Sequence, residues 1–279
     1  MATRTRARGT AVLTLNTCLL PSHLRWIFRA HRGAESLEAA TTRVASAILA
    51  ADRAAPVEVV HLQEVFVPAS LDQIAAALRP AGFVHVTAHA RCGLATLSKR
   101  PLRLLELRET AHGPFTPKGW LAVAVAGSEG DEGEDGSEAE THVNCHFASE
   151  LDGSRRARLA QARAVGGWVR AAREPASSRV LVLGDLNEPD GPGFVQLART
   201  LGASPLDPAM GAEDTYRWLG GLVRGRLDRA IFFAPGSALG VELAGTVVVG
   251  LLDVSDHYAL RVQALWGRAP HGAETQLSR

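Results

Sequence analysis

Short apolar or alternating runs, each bounded by turn residues, recur from one end of the chain to the other. Residues 11–15 (AVLTL), 57–62 (VEVVHL), 83–88, 93–98, 102–107, 120–126 (WLAVAVA), 142–147 (HVNCHF), 179–183 (RVLVL), 227–234, 245–250 and 258–265 all read as strands. Helical periodicity is rarer. Residues 36–51 place Leu37, Ala40, Val44 and Ile48 on one face. Residues 71–79 follow Ser70, with Gln73 three positions on, a capping-box pattern. Residues 154–173 form an arginine-rich helix with Leu159, Ala162, Val165 and Val169 inward, and 192–201 start on Pro192. Strands that outnumber helices, with both hairpin-like and helical connections, call for mixed sheets rather than a βαβ repeat.

Of 279 residues, 46% are hydrophobic, enough for a sizeable core. Thirty basic and 29 acidic side chains leave a net charge of +1, so attraction to an anionic partner must come from a local patch. Cys18, Cys92 and Cys145 are too few and too scattered for a disulfide framework and fit a reducing, cytoplasmic setting. No run approaches the roughly 20 apolar residues of a membrane span, and the apolar run after the N-terminus is too short for a signal peptide. Residues 1–10 read as an extension, 11–266 as one catalytic domain and 267–279 as a tail. The acidic, glycine-rich stretch 127–140 lies between two strands and reads as a long, solvated hairpin loop.

Function is legible where polar residues interrupt the apolar strands. Asn16 ends AVLTL, Gln63 and Glu64 end VEVVHL, and His146 comes late in HVNCHF. Asp185 and Asn187 follow RVLVLG, Asp228 lies within GRLDRAIF, and Asp256 and His257 precede YALRV. Each alone has a structural explanation as a turn, cap or hydrogen-bonded residue. Together they are an inventory of carboxylates, amides and imidazoles at strand ends, where an α/β scaffold presents groups to one cleft. Carboxylates suit a hard divalent cation with oxygen ligands, and histidines beside them suit proton transfer near neutral pH. Patterns for a zinc site, a nucleotide-binding glycine loop or a nucleophilic serine elbow are absent from the sequence.

HLQEVF (61–66), GDLNEP (184–189) and SDHYAL (255–260) resemble the signature motifs of the endonuclease/exonuclease/phosphatase superfamily. LTLNTCLLP (13–21), NCHF (144–147) and RLDRAIF (226–232) are similar to its remaining motifs, and all occur in the family's order. NTCLLP, LQEVF and the Lys118-Gly119 pair are similar to the neutral sphingomyelinase branch. The resemblance implies a four-layer α-β-β-α sandwich of two mixed sheets flanked by helices. It implies a Mg²⁺-dependent phosphodiesterase, with Mn²⁺ able to substitute, whose substrate is a phospholipid head group.

On that resemblance Glu64, Asn16 and Asp256 are metal-side residues. His257 is the general base, held by Asp228. Asp185 orients the attacking water, and Asn187 and Lys118 contact phosphate. His146 stabilises the phosphoryl oxygens or protonates the leaving group. Lys118 reads equally well as a surface lysine. The alternatives are an endonuclease, with the arginines of 154–173 as its groove, a phosphatase of the same superfamily, or a non-catalytic binding protein on this fold. Residues 19–28 (LLPSHLRWIF) mix aliphatic, aromatic and basic groups, which suits either a peripheral membrane contact or a packed face.

Overall fold

The computed structural model describes residues 8–21, 35–112, 116–127, 139–150, 154–171, 179–189, 192–201, 216–218, 223–225, 227–233, 239–248, 255, 257 and 259–268. The first sheet holds β1 (Arg8–Leu19), β2 (Val59–Val65), β3 (His85–His89), β4 (Leu94–Ser98), β12 (Leu239–Val248) and β13 (Ala259–Arg268). Their order is β12-β13-β1-β2-β4-β3, with β1 parallel to β2 and antiparallel to β13. The second holds β5 (Leu102–His112), β6 (Pro117–Val125), β7 (Glu140–His146), β8 (Arg179–Asp185) and β11 (Asp228–Phe233) in the order β11-β8-β7-β6-β5. Here β7 and β8 are the parallel pair. β9 (Tyr216–Trp218) and β10 (Val223–Gly225) make a small separate ribbon that the periodicity does not reveal.

Alternation along the strands builds the layers. Leu13, Leu15, Val60 and Leu62 face α1 (Leu37–Ala54) and α2 (Pro68–Leu78), burying Ala40, Val44, Ile48, Ile74 and Leu78. Val143, Cys145, Val180 and Val182 face α3 (Arg155–Ala171) and α4 (Pro192–Leu201), with Val165, Val169 and Leu197. The opposite faces, Val12, Leu121, Val123, Leu181, Leu183 and Val262 among them, meet between the sheets. The four-layer sandwich with two mixed sheets is therefore the observed fold. Trp120 is fully buried, and Cys145 points into the helical layer as alternation requires.

The structure adds three details. α2 starts at Pro68 with Val67 as its cap, so Ser70 is not a cap: it sits inside the helix and shares a 3.1 Å hydrogen bond with Thr41 of α1. Proline pre-set for the first turn outweighs the capping box. In α3 the arginines are not all an outer face, since Arg158 is buried. Leu19 and Leu20 belong to the interior rather than to a membrane-facing segment. Residues 22–34, including Trp26 and Phe28, lie outside the described residues, as do 128–138 of the acidic stretch, 269–279 of the tail, and Asp256. The strands on either side of that stretch, β6 and β7, do pair as a hairpin. No described helix is long and apolar enough to cross a membrane.

Candidate active site

The sheet registers bring the polar strand ends to one end of the sandwich. His146 pairs with Asp185, Asp185 with Asp228, and Gly119 with His146, so Lys118 arrives beside them from the start of β6. From the first sheet, β1 delivers Asn16 and β2 delivers Glu64, while His257 lies just ahead of β13. Strict alternation would send Glu64 after Val60 and Leu62 toward the helices. A φ of +62° ends the alternation there, and the carboxylate Oε1 lies 3.6 Å from His146 Nε2 across the inter-sheet space. Cys18 (φ +52°), beside a register shift in β1, and Asn187 (φ +50°) have the same left-handed backbone. Non-glycine residues rarely adopt it, and here it clusters at the exits of three site-bearing strands.

Asp185 is the hub. Its Oδ2 accepts from Asn16 Nδ2 at 3.0 Å and its Oδ1 from the Asn187 amide at 3.0 Å. Oδ2 also lies 3.7 Å from His146 Nε2 and 3.8 Å from His257 Nε2. Burial, then the neighbouring Asp228 charge, push the Asp185 carboxyl above its ordinary range, although His257, Asn16 and Lys118 oppose the shift. His257 Nδ1 meets Asp228 Oδ2 at 2.8 Å, which leaves Nε2 as the ring atom directed at Asp185. A residue of the SDHYAL motif to which the resemblance assigns no role fixes this corner: Ser255 Oγ donates to the Asn16 carbonyl at 2.6 Å and accepts from the His257 amide at 3.2 Å. Its sequence signal is its place at the head of that motif, two residues before the histidine.

Lys118 is buried, not a surface lysine. Its Nζ donates to His146 Nε2 at 2.9 Å and lies 4.0 Å from Glu64 Oε1. His146 is held neutral, its pKa well below the ordinary value through burial and the Lys118 and His257 charges. With Nε2 accepting, the ring proton resides on Nδ1, which has no partner among the described residues. Asn187 is anchored by Nδ2, which donates to the Phe147 carbonyl at 3.0 Å. Asn16 Oδ1 accepts from the Cys18 amide at 3.1 Å, so as placed this residue orients Asp185 with its other end. Cys92 and Cys145 are poor nucleophiles: burial pushes the Cys92 thiol up to about 12 and Cys145 higher still.

Carboxylate and imidazole atoms of Asp185, Asp228 and His257 lie within 4.8 Å of one another, all buried. The two buried carboxylates of Asp185 and Asp228, with Glu64 across the space, form an oxygen-rich set of the kind a hard divalent cation relieves. The residues present fit such an ion.

Residues 13–257 match the profile of the Endonuclease/Exonuclease/phosphatase family. No curated protein matches the sequence significantly. Among solved structures the chain is similar to beta toxin from Staphylococcus aureus, in a mutant with bound magnesium ions. The TM-score is 0.70 at 16% identity, covering 91% of this chain and 99% of that one. It is also similar to sphingomyelinase C from Streptomyces griseocarneus (TM-score 0.65, 20% identity, 93% and 100% covered). A humanized TDP2 from D. rerio gives a TM-score of 0.63 at 15% identity, covering 92% and 98%.

Proposed function

Because this chain belongs to the endonuclease/exonuclease/phosphatase family, we propose that it is a Mg²⁺-dependent phosphodiester hydrolase acting on a phospholipid head group, as a sphingomyelinase does. The observation that carries the hydrolytic reading is the Asp228–His257 pair aimed at Asp185, opposite the Glu64–Lys118–His146 cluster. The lipid reading is supported by the NTCLLP, LQEVF and Lys118-Gly119 segments and by the likeness to a solved sphingomyelinase C.

The geometry supports the following roles. Asp228 fixes the His257 ring through Nδ1 and stabilises the imidazolium, so Nε2 takes the proton of the attacking water. Asp185, 3.8 Å from that nitrogen, orients the water. Glu64 and Asn16 from one sheet and Asp185 from the other would hold the cation, leaving His257 Nε2 to act as the base. When bound, the cation would neutralise charge growing on the phosphoryl and leaving oxygens. Lys118 and Asn187 donate to phosphate oxygens. His146 as placed accepts from Lys118 through Nε2, so its part is to hold the Lys118 ammonium, whose remaining N–H groups can donate to the phosphoryl and leaving oxygens.

The test is a parallel assay of the protein with Mg²⁺ against sphingomyelin, lysophospholipids and plasmid DNA. Release of a phosphorylated head group from lipid, silenced by chelation and by Glu64→Gln, is the expected result. Cleavage of DNA alone would replace the lipid reading with the nuclease one.

A further inference from the structure

In the arginine-rich helix α3, Arg158 is buried, with all three guanidinium nitrogens engaged. Its Nε donates to Glu188 Oε2 at 2.6 Å, its Nη2 to Glu150 Oε1 at 2.5 Å and its Nη1 to the Ala148 carbonyl at 3.4 Å. Ala148 and Glu150 lie in the segment leaving β7 just after His146, and Glu188 adjoins Asn187 in the segment leaving β8. One turn further on, Gln161 Oε1 accepts from the Ala148 amide at 2.9 Å. Its Nε2 donates to Thr110 Oγ1 at 2.9 Å, and that hydroxyl reaches the Lys118 carbonyl at 3.4 Å. The two exit segments also bond directly, through the Phe147 amide to the Asp185 carbonyl at 2.9 Å and Asn187 Nδ2 to the Phe147 carbonyl. α4 makes room for this arrangement: a Cβ at Gly193 would fall 2.0 Å from Glu188 Oε1.

We propose that Arg158 is a positioning residue whose buried fork clamps the segment after β7 to the segment after β8, holding His146 and Asn187 in register around Asp185. Packing alone does not call for it, because an apolar pair of similar volume serves a buried site as well or better than an ion pair. A planar fork with three fixed directions specifies geometry, which a lysine cannot reproduce. The inference rests on the phosphodiesterase reading for its catalytic consequence, while the clamp itself concerns only this chain's geometry.

The test is the paired variant Arg158→Met/Glu188→Gln, which removes both charges so that neither is left buried alone. Amide hydrogen exchange is followed at Ala148 and Asn187, and kcat and KM are measured separately. The expected result is a folded protein with lost protection at those two amides and kcat lower by about 100-fold, the scale of an ångström's misplacement, with KM unchanged. Arg158→Lys, which keeps the charge but not the fork, should show the same pattern and serves if the pair does not fold. Wild-type protection and wild-type kcat in either folded variant would overturn the clamp. A wild type that hydrolyses no phosphodiester would overturn the proposed function instead, and amide protection would then decide the clamp alone.

Discussion

At the scale of single residues, the site separates groups that handle protons from groups that hold them in place. His257 is set by one 2.8 Å contact to Asp228, so His257→Ala should lower the rate by roughly 100-fold or more, and Asp228→Asn should lower it as well. A wild-type rate in either would refute the pair. Asp185 makes the opposite kind of prediction for stability. Its carboxyl is pushed up by burial and by Asp228, so its ionised form costs the fold free energy at neutral pH. Asp185→Asn should therefore melt no lower than wild type without metal, while losing activity. Added Mg²⁺ should raise the melting temperature of the wild type and leave this variant unmoved, because only a form that binds the ion is stabilised by it. Equal Mg²⁺ shifts in both would remove Asp185 from the metal-side set.

At the scale of elements, close backbone approach explains which glycines are fixed. Gly184, next to Asp185, has φ +122°, and a Cβ there would lie 2.2 Å from the Cys145 carbonyl oxygen on the neighbouring strand. Gly184→Ala should cost about 3 kcal/mol or more, combining strain with forced separation of β7 from β8. In α3, by contrast, a Cβ at Gly167 meets nothing within 4 Å. Gly167→Ala should stabilise the protein by about 0.5–1 kcal/mol through helix propensity. Denaturant unfolding checks both, and a loss at Gly167 comparable to that at Gly184 would refute the packing account. Most strand centres were legible from alternation, and helix α4 was legible to the residue from its proline. The start of α2 and the inward Arg158 were not, since both depend on which neighbour the helix packs against.

At the scale of the whole molecule, a file of polar groups runs between the sheets away from the site. Gln63 Nε2 donates to Asn144 Oδ1 at 2.7 Å, and Asn144 Nδ2 donates to the carbonyls of Leu62 and Ala95, tying one sheet to the other. Beyond it, Thr96, His61, His142 and Glu140 are linked in series. The order is consistent if both imidazoles are neutral, each passing its N–H along toward Glu140. Burial, with the neighbouring His142, holds His61 well below its ordinary pKa, and His146 is held there too. Burial alone would raise the Glu140 carboxyl, but His142, Thr10 and Arg100 together hold it below its usual range.

The sign of the pH effect follows. The unfolded chain takes up protons at His61 and His146 below about pH 6.5 while the folded chain does not, so their contribution is intact above that pH and is lost as pH falls through it. Each contributes a slope of up to about 1.4 kcal/mol per pH unit, and Glu140 adds a further loss below its unfolded pKa near 4.5. Melting temperature should fall between pH 7 and 5.5, and His61→Phe should flatten that slope even if it lowers stability overall. A wild-type slope in the variant would exclude His61 as a source.

The amino-acid sequence by itself determined which faces of its strands and helices are buried, because alternation and helical periodicity are local, while the four-layer plan was implied by the family resemblance. The sequence also determined the set of groups at the site, since a carboxylate or imidazole ending an apolar strand is visible without any neighbour. Only the tertiary structure decided how those groups are used. Lys118 is buried because register sets the start of β6 beside His146. Glu64 crosses to the site because a left-handed residue breaks its strand's alternation. Arg158 turns inward because two loops, distant in the chain, leave carboxylates and a carbonyl there to receive it. The Lys118–His146 and Arg158–Glu188 contacts join segments well apart in the chain, and a residue's own type carries no record of the partner that such pairing will bring.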